Sequence, residues 1–178
     1  MLAPVTSRMT SAEFEALPES NFPTELLEGE LVIRGAPTVE HQRAVLNSAI
    51  RLRDLIPDGE VIIAPVSVKL DDANYFQPDV FWVAKDSACE ITPYGVNGAP
   101  DLVVEVLSPS TTKVDRGLKF RKYQASGVRE YWMVEPELRF MEVWWLVNGL
   151  YVQFGVYEAD ESFVSPVLGK EFSLKSIF

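Results

Sequence analysis

Apolar residues along the chain follow two rhythms, one close to 3.6 residues and one of two residues. Thr10-Ser11-Ala12-Glu13 has the form of a capping box and predicts a short first helix ending near Leu17-Pro18. "TELLEGELVIRG" follows as two strands turned at Glu28-Gly29. From Thr38 to Ile56 the rhythm is helical. Val45, Ala49, Leu52 and Ile56 share one stripe there, and Pro57-Asp58-Gly59 is the stop. "EVIIAPVSVKL" predicts one strand bent at Pro65, Asp71-Asp72-Ala73-Asn74 a turn, and "PDVFWVA" a further strand. Residues 85–99 show no period and read as loop.

"DLVVEVLS" has the most buried-looking strand pattern of the chain. Residues 112–126 return to a helical rhythm, closed by Gly127 where a helix end favours glycine. "REYWMVEP" then predicts a strand parallel to the one before that helix. "RFMEVWWLV" and "LYVQFGVYEA" predict an antiparallel hairpin turned at Asn148-Gly149. The order of elements, without repeat or linker, gives a single α/β (α+β) domain over residues 1–178, built on a mixed sheet with flanking helices.

Composition narrows the class. The chain has 178 residues, 47% of them hydrophobic and 24% charged, enough for a substantial core. Its apolar runs are too short for a membrane-spanning helix, and its first residues lack the charged head and apolar stretch of a signal peptide. Cys89 is the only cysteine, which excludes an internal disulfide and a cysteine-based zinc site. The expected location is the cytoplasm.

The net charge of −10 argues against tight, non-specific binding of a polyanion. The distribution modifies that. Residues 11–30 hold six glutamates and no base, whereas residues 112–130 hold six bases against two acids. A locally basic segment in an acidic chain fits an anion-facing patch, or simply a solvated helix face.

Two Pro-Asp pairs raise the question of chemistry, in "FQPDVFWV" and "APDLVVEVLSPST". Within 101–107, Asp101, Val103, Glu105 and Leu107 point to one side. Glu105 in mid-strand is costly to bury unless it is paired or bound to a metal. Asp101 lies about 13 Å away along the strand, too far to share one ion with it. Asp79 leads a different strand, and neighbouring strands are only about 4.8 Å apart, so Asp79 and Glu105 can converge on a cation. A salt-bridged buried Glu105 and a turn-forming Asp79 are the structural alternatives.

On the following helix, Asp115, Lys119 and Tyr123 are spaced i, i+4, i+8 and form a stripe close to the carboxylate end of that strand. His41 is the only histidine and faces inward near the start of helix 38–56, as a core or cap residue or as a site residue. Glu28 and Glu30 flank the first hairpin, where one of them can add a third carboxylate or both can remain exposed turn acids. Ser108 and Ser110 lack the companions of a triad, and no glycine-rich phosphate loop is present.

The motifs "LLEGELVIRGAPTVEHQ", "QPDVFWV", "PDLVVEVLSPST", "DRGLKFRKYQASGVREYWMVEP" and "SPVLGKEFSLKSIF" resemble the Uma-type family of restriction-endonuclease-like proteins, within the PD-(D/E)XK nuclease superfamily. The resemblance runs from about Glu13 to the C-terminus. It implies a restriction-endonuclease-like fold and Mg²⁺- or Mn²⁺-dependent hydrolysis of phosphodiesters in nucleic acid, most naturally DNA. It also implies Asp79 and Glu105 as metal-binding acids, with Glu28 and His41 as further site residues. The superfamily's lysine two residues after the second acid is here Leu107. The resemblance is to members whose lysine has moved to the next helix, which makes Lys119 its replacement, beside Tyr123.

The expected protein is therefore a metal-dependent endonuclease using Asp79, Glu105, Lys119, Glu28, His41 and Tyr123. The expected assembly is a homo-oligomer, most simply a dimer. A catalytically silent binding or assembly module is the rival, because three of the four tryptophans lie in "YWMVEP" and "VWWLV", whose outward faces can form an interface. Hydrolysis of some other phosphodiester is a third reading.

Overall fold

The computed structural model describes residues 8–18 and 22–178. Two six-stranded sheets form its frame. The first runs β2 (Glu30–Ile33), β1 (Thr24–Leu27), β5 (Asn74–Phe76), β4 (Val68–Asp71), β8 (Gly95–Asn97), β7 (Glu90–Thr92). The second runs β12 (Leu150–Glu158), β11 (Phe140–Val147), β10 (Glu130–Glu135), β9 (Leu102–Val106), β6 (Val80–Val83), β3 (Glu60–Ile63). In the second sheet β9 and β10 are parallel and the other neighbours antiparallel, as the crossover helix between them requires. A small hairpin, β13 (Ser162–Val164) with β14 (Glu171–Ser173), closes the chain.

The central strands of the second sheet are buried on both faces, which explains their near-continuous apolar runs. One face packs Val80, Trp82, Val104, Trp132 and Met141 against α2 (Val39–Leu55) and the closing hairpin. The other packs Phe81, Val103, Tyr131 and Met133 against Leu27, Val68 and Phe76 of the first sheet. Tyr123 of the crossover helix between β9 and β10 joins this core. That crossover helix has three parts: α3 (Thr112–Val114), a π-helical turn (Asp115–Lys119) and α4 (Phe120–Ser126).

Three expectations change. "EVIIAPVSVKL" is two strands in different sheets, since Pro65 lacks the N–H that a continuous ladder needs. Residues 85–99 carry the β7–β8 hairpin, too short and too polar to show a period. The first helix, α1 (Ser11–Glu15), keeps its capping box but is one turn long. Of the tryptophans in "YWMVEP" and "VWWLV", Trp132 is core, Trp144 packs edge-on against Phe120, and only Trp145 is well exposed. Among the described residues no helix is long and apolar enough to cross a membrane.

Candidate active site

The antiparallel register of β6 and β9 ends on Val80 with Val104, so Asp79, the residue before β6, and Glu105, the residue after Val104, come at the same end of the pair. Directly opposed residues share a face, with Cβ atoms about 5 Å apart. The strand pairing thus carries the two acids toward the same site, where the Val106 N–H also holds Asp79. Both line a cavity of about 360 Å³ that also takes in Glu25, His41, Asp115 and Lys119.

Asp79 accepts a hydrogen bond from the Val106 N–H at 2.7 Å and stands 3.2 Å from His41 Nε2. His41 reaches it from the first turn of α2, whose N-cap Thr38 accepts from the His41 N–H. Burial lowers the basicity of the His41 imidazole. The hydrogen bond and charge of Asp79, with help from Asp115, outweigh burial and raise it above the ordinary value.

Glu105 is 3% exposed. Its Oε1 accepts from Lys119 Nζ at 2.9 Å and from the Tyr123 hydroxyl at 2.7 Å. Burial pushes the Glu105 carboxyl well above the usual range. Lys119 pulls against it, while Asp115, Asp79 and Glu25 add to the rise. The stripe on the crossover helix arrives as expected, with one modification: the turn from Asp115 to Lys119 is π-helical, a wider turn that occurs often at functional sites. Asp115 Oδ1 accepts no hydrogen bond among the described residues and lies 3.7 Å from Lys119 Nζ. Burial opposes a charged Lys119, but Glu105, Glu25 and Asp115 together hold it firmly protonated.

Glu28 is not part of this cluster. It occupies the left-handed position of the β1–β2 turn, with φ 50°, and its carboxylate lies 3.6 Å from Lys122. The third acid from that hairpin is Glu25, which the sequence reading did not single out. Glu25 is 1% exposed and its Oε1 sits 2.9 Å from Lys119 Nζ. The same carboxylate accepts from the Gln77 N–H at 2.9 Å and from Arg34 Nε at 2.7 Å. Burial raises the carboxyl, and Lys119, Arg34 and these hydrogen bonds bring it below its ordinary value. Asp101, the other Pro-Asp, accepts from the Ala84 N–H at 2.9 Å and pairs with Arg129 at the far end of β9. Its role is to secure the strand start.

The donor set is made of hard oxygens, which suit Mg²⁺ or Mn²⁺. Among the described residues no three His, Cys, Asp or Glu side chains form a ready ligand cage. Mg²⁺ needs no such cage, because it keeps several waters and is held by one or two carboxylates plus substrate phosphate. Lys119 serves Glu25, Glu105 and Asp115, Arg34 shares Glu25, and His41 stands on Asp79. That leaves the unpartnered Asp115 oxygen and the Asp79 and Glu105 carboxylates as the groups with oxygen to offer an ion. The residues therefore fit a divalent ion between Asp79 and Glu105.

A mixed sheet that opposes two acids on paired strands and supplies a lysine from the next helix has the architecture of restriction-endonuclease-like nucleases. The comparisons agree on family and fold. The family described as Uma2, "Putative restriction endonuclease", matches residues 11–176, and the chain belongs to it. An "Uncharacterized protein sll1609" of Synechocystis sp. is 25% identical over 140 residues, 76% of this chain and 79% of that one. A crystal structure from Anabaena variabilis, described as a putative nuclease belonging to DUF820, matches with a TM-score of 0.78 at 18% identity. It covers 96% of this chain and 97% of its own. At that identity the likeness is one of fold.

Proposed function

We propose that the protein is a metal-dependent endonuclease that hydrolyses phosphodiester bonds of nucleic acid, with DNA as its natural substrate. One observation carries the reading: Asp79, just before β6, and Glu105, on the neighbouring β9, line one cavity, with Lys119 2.9 Å from Glu105. A divalent ion bound there supplies Lewis acidity to the scissile phosphate and lowers the pKa of an attacking water. Asp79 and Glu105 would hold it. Lys119, kept charged by its three acids, stabilises negative charge developing on the phosphate oxygens. Tyr123 orients the Glu105 carboxylate, His41 orients Asp79, and Glu25 with Arg34 fixes the position of Lys119.

The test is cleavage of plasmid DNA with Mg²⁺ or Mn²⁺ by wild type beside Asp79→Asn, Glu105→Gln and Lys119→Ala. Loss of cutting by about 10²-fold or more in each variant is expected. Equal cutting by wild type and Lys119→Ala would overturn the role given to that lysine. A protein that neither binds the metal nor cuts would be the silent module instead.

A further inference from the structure

We propose that one face of the β11–β12 hairpin is an interface through which two copies of the chain pair. The inference does not depend on the nuclease chemistry. It starts from "EVWWLVNGLYVQFGV", residues 142–156, where apolar side chains fall on both sides of the strands. Such runs belong to strands covered on both faces. Here one face is covered. Trp144, Leu146 and Tyr151 pack with Phe120 of α4 and Tyr131 of β10. The Tyr151 N–H donates to the Gln124 side chain at 2.8 Å, and its hydroxyl donates to the Val128 carbonyl at 2.9 Å.

The opposite face lacks such a cover. The register pairs Trp145 with Val152 and Val147 with Leu150, one residue out of phase with Leu146 and Tyr151 on the packed side. Phe154, the extra residue of the bulge, meets the Trp145 ring edge-on at 6.5 Å between centroids. Leu150 is 63% exposed, Val152 52%, Phe154 42% and Trp145 39%. At those exposures the four side chains make a patch within the roughly 300–600 Å² that is often functional.

Charge selects a second copy as the occupant. The chain carries −10, so two copies repel wherever their acids meet. From Val143 to Tyr157 no residue is charged. This face can therefore meet itself across a two-fold axis, as a symmetric dimer requires. A basic partner would be drawn to the acids instead, and an anionic surface would be repelled by them. The bulge at Phe154 interrupts the outer edge of β12, so the contact is between faces and not a continued ladder. Two such patches with their polar rims bury about 1,000 Å², the floor for a specific interface, which points to micromolar affinity.

Sedimentation velocity on the full chain, without metal, tests this over about 1–100 µM, a range that brackets such an affinity. Wild type should pass from the 20.0 kDa monomer to a dimer of twice that mass, with a Kd of about 10 µM. Val152→Lys and Leu150→Lys should each weaken association about tenfold or more, because an unpaired ammonium would be buried in the contact. Either change moves the net charge from −10 to −9 and so lessens general repulsion, which leaves the face itself as the cause. Leu46→Lys, at a comparably exposed leucine of α2, makes the same change of charge and should leave the dimer intact. All three variants should melt with the wild-type monomer in dilute solution, since each site is already open to solvent. A wild type that stays monomeric throughout would overturn the proposal and leave the face to a different protein. A dimer that neither Val152→Lys nor Leu150→Lys weakens overturns it too, as does equal weakening by Leu46→Lys.

Discussion

Lys119 is the one ammonium group that balances Glu25, Glu105 and Asp115 in the interior. Removing one partner of a buried ionic cluster leaves uncompensated charge, which costs about 3–5 kcal/mol. Lys119→Ala should therefore lose about that much stability in urea unfolding at pH 7. Burial already raises the Glu105 carboxyl, so lowering the pH lets the abandoned acids protonate and should return part of the loss. His41 gives a cleaner titration, because it is the only histidine and one NMR resonance reports it. Asp79 raises its pKa above 6.5 against the opposing effect of burial. The pair's contribution to stability is thus full below about 6.5 and lost as pH rises through the folded value. Asp79→Asn should drop the His41 pKa to 6.5 or lower, since burial remains when the charge is gone. Added Mg²⁺ should lower it in wild type by competing for the same carboxylate. A His41 titration indifferent to both would mean that the pair is not formed.

Between elements, Glu130 is the tie that fixes the C-terminal segment to β10. It accepts from Trp132 Nε1 at 2.8 Å, from Ser165 Oγ at 2.6 Å and from the Val167 N–H at 3.1 Å. Burial nevertheless raises its carboxyl above 4.5, the three hydrogen bonds only moderating the effect. The folded state then holds its proton longer than the unfolded chain does. The contribution is present below 4.5 and is lost as pH rises through the folded value. Subtracting the stability-versus-pH curve of Glu130→Gln from that of wild type should reveal a decline in the region just above pH 4.5. At this scale much of the site could be read from the sequence. Period-two alternation put Glu105 inward, and i, i+4 spacing carried Lys119 and Tyr123 to it. Glu25 escaped because β1 is buried along most of its length, so no alternation marks which side its residues face. The adjacent "EGE" drew attention to Glu28, whose turn conformation turns it away. Pairing across the hairpin was the available signal, since Thr24 opposite Ile33 brings Arg34 near Glu25. The division into two sheets was hidden for a similar reason: Pro65 announces a bend, but Val68 pairs with Phe76 on one side and with Val96, far along the chain, on the other.

For the whole molecule, a net charge of −10 and four carboxylates in one cavity act in the same direction, so a bound divalent ion relieves both local and general repulsion. A ligand that binds only the folded state stabilises it by about 2.7 kcal/mol at a hundred times its Kd. For a chain of this length that corresponds to roughly 5–11 °C in Tm. Salt alone also screens self-repulsion, so the comparison has to hold ionic strength constant. Under that condition Mg²⁺ or Mn²⁺ should raise the wild-type Tm in a saturable way, and Asp79→Asn and Glu105→Gln should abolish the rise. The metal-free Glu105→Gln protein is the informative one. It loses a buried acid that Asp115, Asp79 and Glu25 all disfavour, so it should melt close to wild type before metal is added. Unchanged metal-free stability with a lost metal response would separate the acid's use from its part in folding, as expected where a fold tolerates strain for function. A rise in Tm that survives both substitutions would place the ion elsewhere on the acidic surface and leave the cavity without its catalyst.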